Sequence, residues 1–274
     1  MTEKETSSLL ATPGLKLVMA GAGSDTMKSP DTIILDTALD ISGAPRPTVL
    51  TIGTAEPTAD YFNEFTENTK RQFGGLGAGV VNLHEFKTAP SEAELQDKIG
   101  SADIVWVAGG NTKEAMKFWE QYGITKALSE AALRGVVLAG GSAGFLAWTE
   151  QGFSDSLSYE VPEGEPWEYV FVKGMGMVRA TGIPHFDTNK EGTDKKRRDF
   201  FMEEFAKNNP NLPNHAIGID NAGALVLVDG QYQVVKRQDA QFPNGDVHII
   251  TKNSDGMLST EILPVNKDLK KLEL

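Results

Sequence analysis

A serine framed by small residues, Gly140-Gly141-Ser142-Ala143-Gly144, stands between the apolar runs Val136-Val137-Leu138-Ala139 and Phe145-Leu146-Ala147-Trp148. The order reads as buried strand, sharp turn and helix, and it fits the G-x-S-x-G nucleophile elbow. The glycines have a physical reason: such a turn needs unusual backbone angles and close approach between segments. N–H groups at the start of the following helix have no partner within it and would face an oxyanion formed beside the serine. The pentapeptide by itself reads equally well as an ordinary Gly-rich strand–helix turn.

A serine hydroxyl is a weak nucleophile until a base takes its proton. The chain has four histidines, His84, His185, His215 and His248. His84 falls near a strand end, His215 in a Pro/Asn-rich turn, and His248 alternates with apolar neighbours, so structural roles suit these three. His185 follows Pro184 at a predicted strand end and precedes the polar loop 186–192, a placement from which a base can reach across a crevice. A carboxylate should fix its tautomer and stabilise the imidazolium. Asp155, within Gly152-Phe153-Ser154-Asp155-Ser156, is the first choice, with Glu160 and Glu150 as alternatives and Asp187 as a more distant one. Loop carboxylates of this kind also serve as turn formers and caps. In Gly109-Gly110-Asn111-Thr112, backbone N–H groups could complete an oxyanion hole with that of Ala143, while Asn111 or Thr112 caps the next helix.

The elements that must position these groups alternate along the first half of the chain. Short apolar strands are predicted at 15–20, 48–53, 79–83, 103–108 and 136–139, with helices at 31–41, 59–73, 91–99 and 112–133, the last broken near Gly123. This rhythm predicts an α/β fold with a parallel-rich sheet sandwiched by helices. Ligands of such sheets sit outside the carboxyl ends of the strands, where Gly21–Gly23, Gly53–Ala55, Gly109–Asn111 and Ser142 all fall. After Ser142 the pattern changes: 153–167 is loop-rich, a strand leads to His185, 194–208 has helical spacing, and 216–235 and 247–250 read as strands. Residues 1–13 are expected to be a flexible tail and 14–274 a single α/β domain.

The 274 residues carry a net charge of −12, which disfavours nucleic acid and anionic membrane surfaces as partners. There is no cysteine, which excludes disulfides, thiolate metal sites and a cysteine nucleophile in this sequence. No stretch has the length and apolarity of a signal or membrane-spanning segment, and a cytoplasmic monomer or homodimer is expected.

Three ordered blocks, Val107 to Thr112, Gly141-Ser142-Ala143-Gly144 and Pro184-His185-Phe186, resemble the peptidase E (α-aspartyl dipeptidase) and cyanophycinase family of serine peptidases. The likeness also takes in Gly152 to Ser156 and Ile217-Gly218-Ile219-Asp220, and covers roughly residues 15–235. It implies a flavodoxin-like fold related to class I glutamine amidotransferases, which usually carry cysteine at the elbow. It implies Ser142 as nucleophile, His185 as general base, and the N–H groups of Gly110 and Ala143 as oxyanion donors. The acid stays open between Asp155 and Glu160. Asn111 and Arg198 are the expected substrate contacts. Peptidase E-like members favour an N-terminal aspartate, for which Lys190, Lys195, Lys196, Arg197 and Arg198 offer cations. One alignment puts Asp194 where peptidase E carries an arginine, and another matches Arg198 to it.

The leading expectation is a serine peptidase of dipeptides or short peptides, needing no cofactor or metal. A cyanophycinase-like hydrolase of β-aspartyl-arginine is the alternative, with Glu163, Glu165 and Glu168 offering an acidic pocket. A third reading is a non-catalytic small-molecule-binding member. Gly21-Ala22-Gly23-Ser24 could cradle a phosphate, but a dinucleotide fingerprint needs a third glycine where Thr26 stands. His185-Phe186-Asp187 offers two metal ligands without a third nearby.

Overall fold

The computed structural model describes residues 14–207, 209–266 and 268–271; the tail expected over 1–13 lies outside the described residues. Five apolar strands, β1 (Lys16–Ala20), β2 (Thr48–Ile52), β3 (Gly79–Asn82), β4 (Ile104–Val107) and β5 (Val137–Gly141), pair in parallel in the order β1-β5-β4-β2-β3. The remaining strands are β6 (Thr149–Ser154), β7 (Val170–Lys173), β8 (Val178–Ile183), β9 (His215–Ile219), β10 (Gly223–Val228), β11 (Gln231–Lys236), β12 (Val247–Lys252), β13 (Leu258–Leu263) and β14 (Lys270–Lys271). Strands β10, β11 and β14 extend the first sheet past β1 in antiparallel fashion, giving eight strands. The other six form a second sheet, β13-β12-β9-β8-β6-β7, parallel only across β6-β8-β9.

The helices are α1 (Ser24–Lys28), α2 (Ile33–Ser42), α3 (Ala59–Gly75), α4 (Glu92–Glu94), α5 (Thr112–Gln121), α6 (Ile124–Leu133), α7 (Ala143–Leu146) and α8 (Arg197–Ala206). Local chemistry sets several of their ends. Ser91 and Glu94 form a reciprocal capping box at α4. The break between α5 and α6 falls at Gly123, whose φ of 73° suits glycine.

Period-two alternation along β1 divides the core. Leu17 and Met19 join Ile217, Ile219 and Ile249 of the second sheet, together with Phe145 and Trp148, in one buried cluster. Val18 and Ala20 face the other way, with Trp106, onto Ile34 and Leu35 of α2 and Phe65 and Phe73 of α3. The second sheet packs Phe153 and Ile183 against Phe201 and Phe205 of α8. The parallel-rich first sheet with its flanking helices is the one the sequence rhythm calls for.

The second sheet is the main departure from the sequence reading. Strand β6 runs through Thr149-Glu150-Gln151-Gly152 and β13 is largely exposed, so neither carries the apolar alternation that marks a strand. Among the described residues, no helix is long and apolar enough to cross a membrane.

Candidate active site

Strand β5 ends at Gly141 and α7 begins at Ala143, so Ser142 carries the whole reversal, with φ 55° and ψ −118°. A side chain held there costs on the order of 1–3 kcal/mol and persists only where its surroundings over-determine it. They do so here. Ser142 donates its N–H to the Ala20 carbonyl at 3.2 Å, and its own carbonyl accepts from Phe145 and Leu146, each at 3.0 Å. A Cβ at Gly141 would meet the Ala22 oxygen at 2.2 Å, and one at Gly144 the Val107 oxygen at 2.4 Å. Strand-end backbones thus press on the turn from both sides.

His185 closes the end of β8, also at positive φ (51°). Its N–H donates to Gly21 at 3.1 Å, and that of Phe186 donates to Ile219 at 3.1 Å, which pins the reversal between β1 and β9. Its Nε2 lies 2.9 Å from Ser142 Oγ. Its Nδ1 lies 2.5 Å from Asn221 Oδ1. Asn221, 1 % exposed, sits in the turn between β9 and β10. Its Nδ2 donates to Asp25 at 2.6 Å, and its N–H donates to Asp187 at 2.8 Å. Its carbonyl accepts from Arg237 at 3.4 Å.

The structure therefore joins Ser142 and His185 but gives the third position to Asn221, not to Asp155. Asp155 accepts from the buried Arg197 guanidinium at 3.2 Å, and Arg197 also donates to the Phe153 carbonyl at 2.6 Å. A buried cation needs that carboxylate more than a neutral imidazole does. Glu160 is drawn to Lys113 at 2.6 Å on the surface. Arg198 pairs with Asp199 and is well exposed, so Arg197 is the inward-facing cation of this helix. Asn111 spends Oδ1 on capping α5, accepting from Glu114 N–H at 3.2 Å, and lines the cleft.

Gly110 adopts φ 117°, and a Cβ there would meet the Ala55 oxygen at 2.2 Å. The Asn111 N–H donates to that same oxygen at 2.7 Å, tying the loops after β2 and β4 together. A Cβ on Gly109 would touch Ser142 Cβ at 3.4 Å, so this segment lies against the serine. Ala143 opens α7, and its N–H has no intrahelical partner. The cleft alongside is walled by Gly53, Ala55, Glu56, Asn111, Phe118 and Tyr159.

Burial foremost, and then the Arg197 charge, hold the His185 imidazole below its ordinary value of 6.5. Neutral His185 offers a lone pair to a hydroxyl proton. An NMR titration of its ring should therefore give a midpoint below 6.5. A midpoint above that value would show that Arg197 and burial do not govern it. The sign for stability follows: between the lowered folded value and 6.5 the unfolded chain binds a proton that the folded one does not. Acidification through that window weakens the fold. Burial and the nearby Glu64 push the Glu56 carboxyl up to about 8, with Lys28 opposing them. That carboxyl has no hydrogen-bond or ion-pair partner among the described residues.

Sequence reasoning assigns no site role to Asn221, Asp25 or Glu56. A signal exists for Asn221: it follows the apolar Ala216 to Ile219 at a strand end, as His185 does. The other three histidines make contacts elsewhere, His84 on the wall of the cleft. His84 Nδ1–H donates to the Glu85 carbonyl (2.7 Å), His215 meets Thr251 (3.2 Å), and His248 lies 3.4 Å from Asp220 and packs at a tilt on Phe186.

Known proteins resemble this chain in sequence and in fold. The family model of peptidase family S51 matches residues 17–235. The uncharacterized peptidase YgaJ of Bacillus subtilis (strain 168) is 28% identical over 179 residues, 65% of this chain and 71% of YgaJ. The crystal structure of a peptidase from an acI-B1 Actinobacterium superposes with a TM-score of 0.69 at 19% identity, covering 94% of this chain and 98% of the other. A provisionally assigned peptidase E protein of Listeria monocytogenes EGD-e gives 0.57 at 19% identity, over 81% and 98%. At that identity the two structures speak for the fold.

Proposed function

Because the chain belongs to peptidase family S51 and is a serine-type peptidase, we propose that Ser142, His185 and Asn221 are its catalytic group and that dipeptides or short peptides are its substrates. The observation that carries this is Ser142 Oγ at 2.9 Å from His185 Nε2, on a turn with φ 55°. His185 takes the hydroxyl proton as Oγ attacks the scissile carbonyl carbon. The tetrahedral oxyanion is received by the N–H groups of Gly110 and Ala143. His185 then protonates the leaving amine as the C–N bond breaks. Water, deprotonated by the same imidazole, attacks the ester and releases the acid and Ser142. Asn221 accepts from Nδ1–H and so keeps the Nε2 lone pair on the serine.

For the substrate, support comes from Glu56. A carboxyl without a hydrogen-bond or ion-pair partner among the described residues, beside Glu64 and next to the Gly109-Gly110 segment, is suited to an ammonium group. The free amine of the first residue would meet it in this reading. Arg197, one of the cations considered for an aspartate side chain on that residue, is engaged by Asp155. Glu163, Glu165 and Glu168, the acidic group considered for β-aspartyl-arginine, are exposed on the loop before β7.

The test is amine release from a panel of dipeptides and tripeptides with acidic, neutral and basic first residues, each also N-acetylated, together with β-aspartyl-arginine. Cleavage of free-amine α-peptides is expected, with N-acetylation lowering kcat/KM by roughly tenfold or more through loss of a charge-assisted contact. Equal rates on acetylated peptides would remove the Glu56 assignment. Cleavage confined to β-aspartyl-arginine would replace the substrate class.

A further inference from the structure

Resting on the Ser142–His185 reading, we infer that Asp25 is a positioning residue that acts through Asn221 to set the tautomer of His185 and to support its positive charge. Three contacts in series, 2.9, 2.5 and 2.6 Å, link Ser142 Oγ, the two ring nitrogens, the Asn221 amide and the Asp25 carboxylate. The direction of each follows from the last. A carboxylate only accepts, so the NH2 of Asn221 must face Asp25. The amide oxygen then faces the ring, and Nδ1 must carry the proton. Nε2 is left with a lone pair aimed at the Ser142 hydroxyl. Without Asp25, nothing in this series distinguishes the two ends of the amide, and the flipped amide would present a donor to Nδ1 and favour the unproductive tautomer.

The amide cannot relax in another way. Asn221 N–H is held by Asp187, its carbonyl by Arg237, and its side chain is buried. A neutral amide also supports an imidazolium less well than a carboxylate does, and hydrogen bonding to an anion on its far side polarises it toward the ring. The charged groups that face His185 are Arg197, which opposes its protonation, and Asp155 and Asp25, which favour it. Asp155 is already engaged by Arg197, which leaves Asp25 as the carboxylate bonded to the series.

Exchanging the two groups tests this. Full-length wild type, Asp25→Asn, Asn221→Asp and the Asp25→Asn/Asn221→Asp double variant would be compared by two readouts. One is the His185 ring titration by NMR. The other is the rate at which a fluorophosphonate probe modifies Ser142, followed against pH and located by peptide mass mapping. Asp25→Asn is expected to lower the His185 midpoint and slow labelling about tenfold, as loss of one charge-assisted bond would. Asn221→Asp sets two carboxylates in contact and should also be slow. The double variant restores an amide–carboxylate pair with the charge now directly on Nδ1. It should recover labelling to within about threefold of wild type and raise the midpoint above it.

A purely structural Asp25 would lower the melting temperature of Asp25→Asn and leave the His185 midpoint where it was. That result overturns the proposal, as does a double variant no faster than its slower parent. If wild-type Ser142 is not labelled at all, the peptidase mechanism fails by itself. The NMR midpoints still decide the role of Asp25.

Discussion

Replacing Ser142 with alanine is expected to lower kcat/KM on any cleaved peptide by a factor of about 10⁴ or more, as removal of an activated nucleophile does. The fold should survive. Among the described residues the Ser142 hydroxyl has one partner, His185 Nε2, and the backbone bonds that hold the turn do not involve the side chain. Serine and alanine carry the same Cβ and meet the same strain at φ 55° and ψ −118°. Ser142→Gly removes that Cβ and should lose activity equally, while resisting urea better than Ser142→Ala by about 1 kcal/mol. Amine release on a cleaved peptide and equilibrium unfolding of all three proteins check both statements. Retained turnover in purified Ser142→Ala would remove Ser142 from the proposed mechanism. A glycine variant less stable than the alanine variant would show that the elbow stores no strain.

Much of this turn was legible in the sequence because small residues are demanded at several points. Gly141 and Gly144 cannot carry a Cβ against the Ala22 and Val107 backbones, so the glycine spacing reports directly on the crowding around Ser142. Parallel strands β1, β2, β4 and β5 were legible for a similar reason: they are buried almost throughout and read as largely apolar runs. The third position of the proposed catalytic group was not. Asn221 lies 36 residues from His185, and an asparagine before Ala222-Gly223 has the composition of any turn. Asp25 meets Asn221 across 196 residues of sequence. A search for a nearby carboxylate falls naturally on Asp155, yet only the folded chain shows that Arg197 occupies it. The second sheet was obscured by β6, which is mostly polar though largely buried, and by exposed β13, whose residues serve pairing more than burial.

Gly110→Ala should produce the second large loss, through backbone alone. The new Cβ would lie 2.2 Å from the Ala55 oxygen and 2.8 Å from its carbonyl carbon, at a φ of 117° that side chains rarely adopt. Neither atom belongs to a flexible side chain, so the loops after β2 and β4 must part. Their tie is the Asn111 N–H bond to Ala55, and parting them would displace the N–H of residue 110, the proposed oxyanion donor. Loss of one oxyanion donor costs about 10²–10³ in kcat. The backbone distortion should cost about 2–4 kcal/mol of stability besides. Gly109→Ala separates the two effects. Its Cβ would make an ordinary 3.4 Å contact with Ser142 Cβ at unremarkable φ, so the fold should hold within about 1 kcal/mol. It would also stand 3.8 Å from Ser142 Oγ and crowd the approach of a substrate carbonyl. Urea unfolding and kcat/KM on one cleaved peptide are the measurements. Folded Gly110→Ala with wild-type kcat would mean that the oxyanion rests elsewhere, with the Ala143 N–H at the start of α7 left as the donor.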